Sequence, residues 1–475
     1  MSTNSQARQR IDALLDANSF VEIGALVTAR ATDFNLKQTE TPSDGVITGH
    51  GVLDGKLVYV YSQDASVLNG SVGEMHAKKI VNLYELALKM GAPVIGLIDS
   101  AGLRLQEATD ALNAFGEIYL KQTMASGVIP QITAIFGSCG GGLAIIPTLT
   151  DFTFMEKSKA KLFVNAPNTL DGNEVSKCDT SAAAFQSAEA GIVDVVAEEA
   201  EIFAEIRTLV SLLPSNNEDF VLADCSDDLN RVCVNMEGAV GDTSIALSQI
   251  ADDGAFFEVK RDYAKEMVVG FLRLNGATIG AVANRTEVYG EDGQVAEKFD
   301  QVLTPAGCEK AADFVAFCDA FEIPVLTLTN VKGYKASTCA EKKMAKAVAK
   351  MTYAFANATV PKVNVVISKA LGSSYVAMNS KALGADITIA WPDAEIGSMD
   401  AKLAAKIICD GQGAEAIDAC AKEYAALQNN VVSAAKRGYV DQIIEPCDTR
   451  KYLIGAFEML ATKSEDRPAK KHGTV

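Results

Sequence analysis

The segment Lys79–Gln106, KIVNLYELALKMGAPVIGLIDSAGLRLQ, and the segment Lys310–Ser337, KAADFVAFCDAFEIPVLTLTNVKGYKAS, share one design. Each opens with apolar residues at helical spacing, passes a proline, runs through a short apolar strand and reaches a turn containing glycine. The register is constant: Lys79 and Lys310, Pro93 and Pro324, and Gly102 and Gly333 are all 231 residues apart. The offset persists downstream, where Val128-Ile129-Pro130-Gln131-Ile132 faces Thr359-Val360-Pro361-Lys362-Val363. Each of these leads into an apolar strand and then a turn of small residues. That turn is Ser138-Cys139-Gly140-Gly141-Gly142 in the first half and Lys369-Ala370-Leu371-Gly372-Ser373-Ser374 in the second. Upstream, Gly51–Gly55 and Gly270–Gly276 read as matching strand-turn-strand hairpins, at a different offset because of an insertion. Landmarks in one order at one spacing identify an internal duplication.

In the first half the pattern predicts strands near 45–53, 57–62, 94–98 and 132–136, with helices near 74–91, 108–126 and 141–149. Short buried strands alternating with amphipathic helices predict an α/β fold with parallel crossovers, present twice in tandem. The polar, proline-bearing stretch Leu213–Asp219 marks the junction, between about residues 214 and 250. We take the halves as residues 1–230 and 231–475. The charged tail, Lys463–Val475, lacks periodicity and is expected to fray.

Composition narrows the function classes. The chain has 475 residues, 48% of them apolar, so two domains of about 200 residues can each bury about 70% of their unfolded surface without metals or disulfides. Lys and Arg number 43 against 61 Asp and Glu, a net charge of −18, which disfavours nucleic-acid binding. The ten cysteines contain no C-x-x-C pair, and three histidines are too few for a His-rich metal centre. The N-terminal residues lack the apolar core of a signal peptide, and the apolar runs are of strand length, so a cytoplasmic location is expected.

The turns carry the chemistry. Gly140-Gly141-Gly142 follows a strand and opens a helical stretch, which places amide N–H groups at a helix N-terminus, where negative charge is favoured. Such N–H groups can stabilise an oxyanion, or the glycines can simply relieve crowding in a tight turn. The counterpart at Gly372-Ser373-Ser374 points toward a reaction with two stabilised oxyanions. Gly70-Ser71-Val72-Gly73, with Lys78 and Lys79 in the following helix, is either a phosphate cradle or an ordinary helix entry. Asp99, Arg104 and Glu107 follow a strand C-terminus, the edge where α/β folds bind ligands, and a structural ion pair explains Arg104 and Glu107 nearly as well. Cys139 has no evident base nearby in the sequence and reads as a packing residue.

At nearly full length, the chain resembles the biotin-dependent acyl-CoA carboxyltransferases. The first half does so through YSQDASVLNGSVGEMHAKKI (61–80), GLIDSAGLRLQEA (96–108) and ASGVIPQITAIFGSCGGGLAIIPTLTDFTFM (125–155). The second half does so through FVAFCDAFEIPVLTL (314–328), YAFANATVPKVNVVISKALGSSYVAMNSK (353–381) and IAWPDAEIGSMDAK (389–402). The resemblance implies two tandem crotonase-like domains of ββα repeats. It implies that backbone donors at Gly141 and Gly142 hold the enolate oxygen of an acyl-CoA thioester, and that Ser373 and Ser374 polarise the ureido oxygen of biotin. The biotin nitrogen then handles the substrate α-proton, so no protein base is required. The substrate-binding set implied around these turns is Gly70, Ser71, Gly73, Lys78, Gly102, Arg104, Gly140, Leu143, Gly333 and Gly372. Leu143, where the family often has a smaller residue, is expected to narrow the acyl pocket in favour of malonyl or methylmalonyl groups.

The family active site lies between the first domain of one subunit and the second domain of another, which implies a homo-oligomer. Ala87-Leu88-Lys89-Met90 superficially matches a biotinyl-lysine motif but falls inside a predicted helix. Biotin is therefore expected on a separate carrier protein, and a biotin carboxylase or a membrane decarboxylase pump on further chains. The second half departs from the family pattern. Gly372-Ser373-Ser374 stands for the common Gly-Gly-Ala, Asn330-Val331-Lys332-Gly333-Tyr334 for Asp-Thr-Pro-Gly-Phe, and Ser368 for an arginine. That divergence leaves two competing readings, a biotin-independent crotonase-like lyase or hydrolase and a non-catalytic CoA-ester-binding scaffold.

Overall fold

The structure is a computed structural model that describes residues 5–30, 40–290, 292–468 and 472–473. The chain forms two compact units, Met1–Phe220 and Val221–Val475. Residues just after the division belong with the second unit, where Ala223 N–H donates to Gly276 O at 3.0 Å and Leu222 bridges Ala277.

The first unit is built on a seven-stranded sheet: β1 (Val21–Ile23), β2 (Val46–Leu53), β3 (Lys56–Gln63), β4 (Val94–Ile98), β5 (Gln131–Ile135), β6 (Phe152–Glu156) and β7 (Val195–Ala197), adjacent in that order. The first two pairings are antiparallel and the other four parallel. Helices α1 (Glu74–Met90) and α2 (Ala108–Ala125) make the crossovers. The second unit repeats the order with β8 (Phe256–Val259), β9 (Met267–Leu274), β10 (Ala277–Asn284), β11 (Val325–Val331), β12 (Lys362–Leu371), β13 (Ile387–Ala390) and β14 (Gln442–Ile443). A short eighth strand, Glu395–Gly397, pairs with the end of β12. Its crossover helices are α3 (Pro305–Ala320) and α4 (Thr338–Asn357).

Local chemistry explains the repeat. The β2–β3 hairpin turns at Asp54-Gly55 (φ 48° and 84°) and the β9–β10 hairpin at Asn275-Gly276 (φ 50° and 78°). A two-residue hairpin loop of this hand needs positive φ at both positions, hence the Asp-Gly and Asn-Gly pairs. The landmark prolines precede strands, where a missing N–H costs nothing and the carbonyl is used. Tyr59 N–H donates to Pro93 O and Val94 N–H to Pro130 O, as Gly280 N–H does to Pro324 O and Val325 N–H to Pro361 O. Half-buried carboxylates cap the next strands alike: Asp151 accepts from Gln131 N–H at 2.7 Å and Asp386 from Lys362 N–H at 2.8 Å.

The two landmark lysines are buried, and Lys79 belongs to the packing of the helix entry. Lys79 lies on the inward face of α1 with His76, Ile80 and Leu83, and its ammonium donates to Ser43 O at 3.0 Å and to Val46 O. Lys310 does the same in α3, donating to Lys260 O at 2.8 Å and Tyr263 O at 2.7 Å. Each lysine pins the chain segment before the hairpin onto the first crossover helix. Desolvation lowers their pKa, to about 8 for Lys79 and about 7 for Lys310. The tail also departs from expectation at its start. Lys463 pairs with Asp386 at 2.9 Å and donates to Val360 O, while residues 469–471 and 474–475 lie outside the described residues.

A pH dependence follows from Lys310. Its folded pKa lies below its unfolded value of about 10.5, so the stability that it contributes is fully present above that value and is lost as pH falls toward 7. The cost of Lys310→Met in denaturant unfolding should therefore grow between pH 7 and pH 10, by at most about 1.4 kcal/mol per pH unit. A cost independent of pH would show that the lysine is not desolvated.

Candidate active site

The first turn leaves β5 through Phe136 and Gly137, runs as a short strand over Ser138–Gly140 and bends at Gly141 into a 3-10 turn and a four-residue helix, Ile145–Thr148. The expected helix over 141–149 is thus two short pieces. Pro147 has no N–H to give Leu143 O, and the Cys139 thiol donates to that carbonyl instead, at 3.6 Å. Burial pushes the Cys139 thiol pKa well up, so it is a packing and hydrogen-bonding residue and not a nucleophile.

Gly141 has φ 63°, a left-handed conformation natural to glycine, and a Cβ there would meet no atom within 4 Å. Gly140 lies flat on Phe163, where a Cβ would come within 2.6 Å of the ring. Gly102 stands beside it, with a notional Cβ 3.4 Å from Gly140 O. Tyr119, from α2, donates its hydroxyl to Gly142 O at 2.5 Å. The N–H groups that follow Gly141 open a helical turn and have no partner one turn back. The structure thus gathers Gly102, Gly140, Gly141 and Gly142 around one open turn. The Leu143 side chain is fully buried in the core of the first unit. The exposed apolar side chain of this stretch is Ile145.

The segment before α1 is held from within the fold. Arg104 is buried, and its guanidinium donates to Asp44 at 2.7 Å, Glu107 at 2.8 Å, Ser71 Oγ at 3.3 Å and Ser71 O at 2.7 Å. Glu107 reaches on to accept from Glu74 N–H at 2.6 Å, so the N-terminus of α1 already holds a carboxylate from this chain. Gly73 is glycine because a Cβ would lie 2.5 Å from both Arg104 and Glu107, and Gly70 because one would lie 2.4 Å from Asp99 O. Ser71, Gly73 and Arg104 are therefore held in place by partners within the fold. Lys78 is exposed and pairs with Glu74 at 2.6 Å. Desolvation raises the Asp44 pKa against the pull of Arg104. Asp99 is paired with Arg10 at 2.9 Å.

The histidine of α1 supplies no base at the turn. His76 is fully buried, facing Asp44 O at 2.9 Å and Gln63 at 3.2 Å, and desolvation lowers its pKa to about 3.

The second turn repeats the first at the same offset. Gly372 (φ 68°) corresponds to Gly141, so Ser373 corresponds to Gly142 and Ser374 to Leu143. The chain passes there from β12 directly into α5 (Gly372–Ala377). The supporting loops match as well: Val72 N–H donates to Gly102 O at 2.8 Å, and Leu303 N–H to Gly333 O at 2.9 Å. Ser374 is fully buried and turns its hydroxyl back to Leu371 O at 2.7 Å, so that it does not crowd the turn. Ser373 is exposed, and Tyr334 donates to its hydroxyl at 2.9 Å.

Two left-handed glycine turns with outward N–H groups are the equipment of a reaction that passes through two stabilised oxyanions. A family profile described as the carboxyl transferase domain matches residues 3–475. The chain belongs to the carboxyl transferase family. This carboxyltransferase is 41% identical over 490 residues to the propionyl-CoA carboxylase beta chain of Roseobacter denitrificans, covering 99% of this chain and 93% of that protein. It is 40% identical to methylmalonyl-CoA decarboxylase subunit alpha of Veillonella parvula, covering 99% and 92%. Among solved structures, the transcarboxylase 12S hexamer with hydrolysed methylmalonyl-coenzyme A bound aligns with a TM-score of 0.92 at 38% identity, over 100% of this chain and 93% of that one. The enzyme class and the duplicated crotonase-like fold agree with the expectations from sequence. Among the described residues no helix is long and apolar enough to cross a membrane.

Sequence reasoning passed over Tyr119 and the inward role of Lys79. The signal for Lys79 was present, since it shares the α1 face with Leu83. Tyr119 left no signal, because its contact with Gly142 spans 23 residues between separate elements.

Two mutations separate the turn from the buried network. Gly141→Val should lower kcat/KM on the order of 10²–10³-fold by displacing N–H donors, whereas Ser138→Ala, at an exposed position, should leave it unchanged. Steady-state assays beside melting curves check this, and equal losses of rate and stability would assign Gly141 to folding alone. Arg104→Met should instead cost about 3–5 kcal/mol in denaturant unfolding, because it strands two buried carboxylates.

Proposed function

We propose that this carboxyltransferase moves a carboxyl group between methylmalonyl-CoA and biotin borne on a separate carrier protein, yielding propionyl-CoA, and that malonyl-CoA is the next best donor. The pair of left-handed glycine turns at one register carries the reading, and the names of the full-length relatives favour the methylmalonyl group. Gly141 and Gly142 form the acyl-CoA turn: N–H groups after Gly141 hold the thioester oxygen as it gains enolate charge, and the open space at Gly141 admits it. Ser373 and Ser374 form the biotin turn. The observations fit a flat cyclic urea there, since a Cβ at Gly333 would meet nothing within 4 Å and the Ser374 hydroxyl is folded inward. When bound, biotin supplies the nitrogen that exchanges a carboxyl group for the proton delivered to the substrate α-carbon. The chain itself binds, orients and withholds competing bases.

The same turns serve either direction, in keeping with relatives named as a carboxylase and as a decarboxylase. A homo-oligomer is part of the proposal, in keeping with the hexamer assembly of the related transcarboxylase 12S. A biotin carboxylase or a membrane decarboxylase pump would be a further partner. A cytoplasmic location is supported by ten unbridged cysteines.

The test is a panel of malonyl-, methylmalonyl- and glutaconyl-CoA with free biotin as acceptor. Methylmalonyl-CoA should give the highest kcat/KM, with about tenfold or more over malonyl-CoA, the scale on which a pocket reads one methyl group. Turnover without biotin at the same rate would overturn biotin use, and preference for glutaconyl-CoA would overturn the short-acyl reading.

A further inference from the structure

The two turns share a backbone and differ in what stands on the first residue after the bend. A tyrosine hydroxyl meets that residue in both. At the first turn Tyr119 donates to the Gly142 carbonyl at 2.5 Å; at the second, Tyr334 donates to the Ser373 hydroxyl oxygen at 2.9 Å. A hydroxyl carries one proton and two acceptor sites. With its oxygen accepting from Tyr334, Ser373 keeps its own proton to give, and no acceptor among the described residues takes it. Ser374 differs, because its proton is committed to Leu371 O and its side chain is fully buried. Ser373 is exposed, and its partner Tyr334 follows Gly333, where a Cβ would meet nothing within 4 Å.

A hydroxyl that accepts one hydrogen bond is polarised and donates a stronger one, and its rotor is fixed before the ligand arrives. Ser373 and Tyr334 lie 39 residues apart, and each gives the other a partner. We propose that the Ser373 hydroxyl, oriented by Tyr334, is a side-chain donor to the ligand oxygen at the second turn, beside the backbone N–H groups of Ser373 and Ser374. Tyr334 is its positioning residue. The ligand is a cyclic urea whose oxygen gains negative charge during transfer, so the inference rests on the assignment of this turn to biotin. The divergence of the second half is then a rebuilt donor set and not a decayed one.

The test measures carboxyl transfer from methylmalonyl-CoA to free biotin by the full-length enzyme. In that transfer the C–C bond to the carboxyl group breaks, an N–C bond forms, and the nitrogen proton moves to the α-carbon. Ser373→Ala should lower kcat/KM for biotin on the order of 10²-fold. Tyr334→Phe should lower it about tenfold, because the donor remains but loses its orientation. Ser373→Thr, which keeps the hydroxyl, should restore most of the rate. The double variant should be no slower than Ser373→Ala, since Tyr334 acts only through Ser373. The dissociation constant of methylmalonyl-CoA and the melting temperature should not move in any of them. A Ser373→Ala enzyme as fast as wild type overturns the inference while leaving the carboxyltransferase reading intact. So does a parallel loss of acyl-CoA affinity and melting temperature, which marks a structural role. A wild type that transfers nothing to biotin overturns the assignment of the turn and the inference with it.

Discussion

At Gly141 and Gly372 the chain leaves a strand segment with φ of 63° and 68°, and the rest of each unit serves to hold that bend. A side chain at such a φ costs about 1–2 kcal/mol, so glycine is selected by backbone geometry before any ligand is considered. Once the bend is made, the N–H groups that follow open a helical turn and have no internal acceptor. Parallel strands on either side fix where the bend starts, and the carboxylates of Asp151 and Asp386 anchor the first residue of β5 and β12. The loops carrying Gly102 and Gly333 are stitched in place by the N–H groups of Val72 and Leu303. The groups that each bend presents are thus main-chain atoms, and their placement comes from the sheet.

Duplication has kept the scaffold and released the decoration. Buried lysines still gather carbonyl oxygens, prolines still precede the strands, and Asp-Gly or Asn-Gly still turns the hairpin. Asn284 Oδ1 accepts from Asn330 N–H at 3.1 Å where Gln63 Oε1 accepts from Asp99 N–H at 3.2 Å, a side-chain amide doing the same task with one methylene fewer. Around the bends the two halves differ. Cys139 and Leu143 in the first become Ala370 and Ser374 in the second, and the hydroxyl of Ser374 finds Leu371 O where Leu143 simply fills the core. Two oxyanions of different shape need different walls on one backbone.

Elements with a clear period are legible in the sequence. The helices expected at 74–91 and 108–126 are α1 and α2 to within a residue or so, and the strand expected at 94–98 is β4. The glycine turns are legible because positive φ and close approach both restrict residue choice. What failed depended on partners distant in sequence. The Arg104–Glu107 pair is legible from its spacing, whereas Asp44, 60 residues away, and the reach of Glu107 to the helix entry are not. Leu143 was expected beside the acyl group because it directly follows the glycines, and its burial depends on core contacts that spacing does not show. The helix expected over 141–149 is interrupted because Pro147 has no N–H to give Leu143 O.

The titratable groups nearest the first turn are held silent at neutral pH, and that silence has a chemical consequence. Burial raises the Cys139 thiol and the Tyr119 hydroxyl, so neither changes charge near pH 7. A thiolate or an imidazole beside a nascent enolate would compete with the enolate for the N–H donors or for the α-proton. Backbone amides have no such alternative state. Their contribution is the same at every pH at which the sheet stands, because it arises from fixed dipoles that do not reorganise during reaction. The proton that must move in a carboxyl transfer then has to be supplied and accepted by the reacting partners themselves. A site made of bends, with its neighbouring acids and bases pushed out of range, leaves the choice of direction to the relative concentrations of those partners.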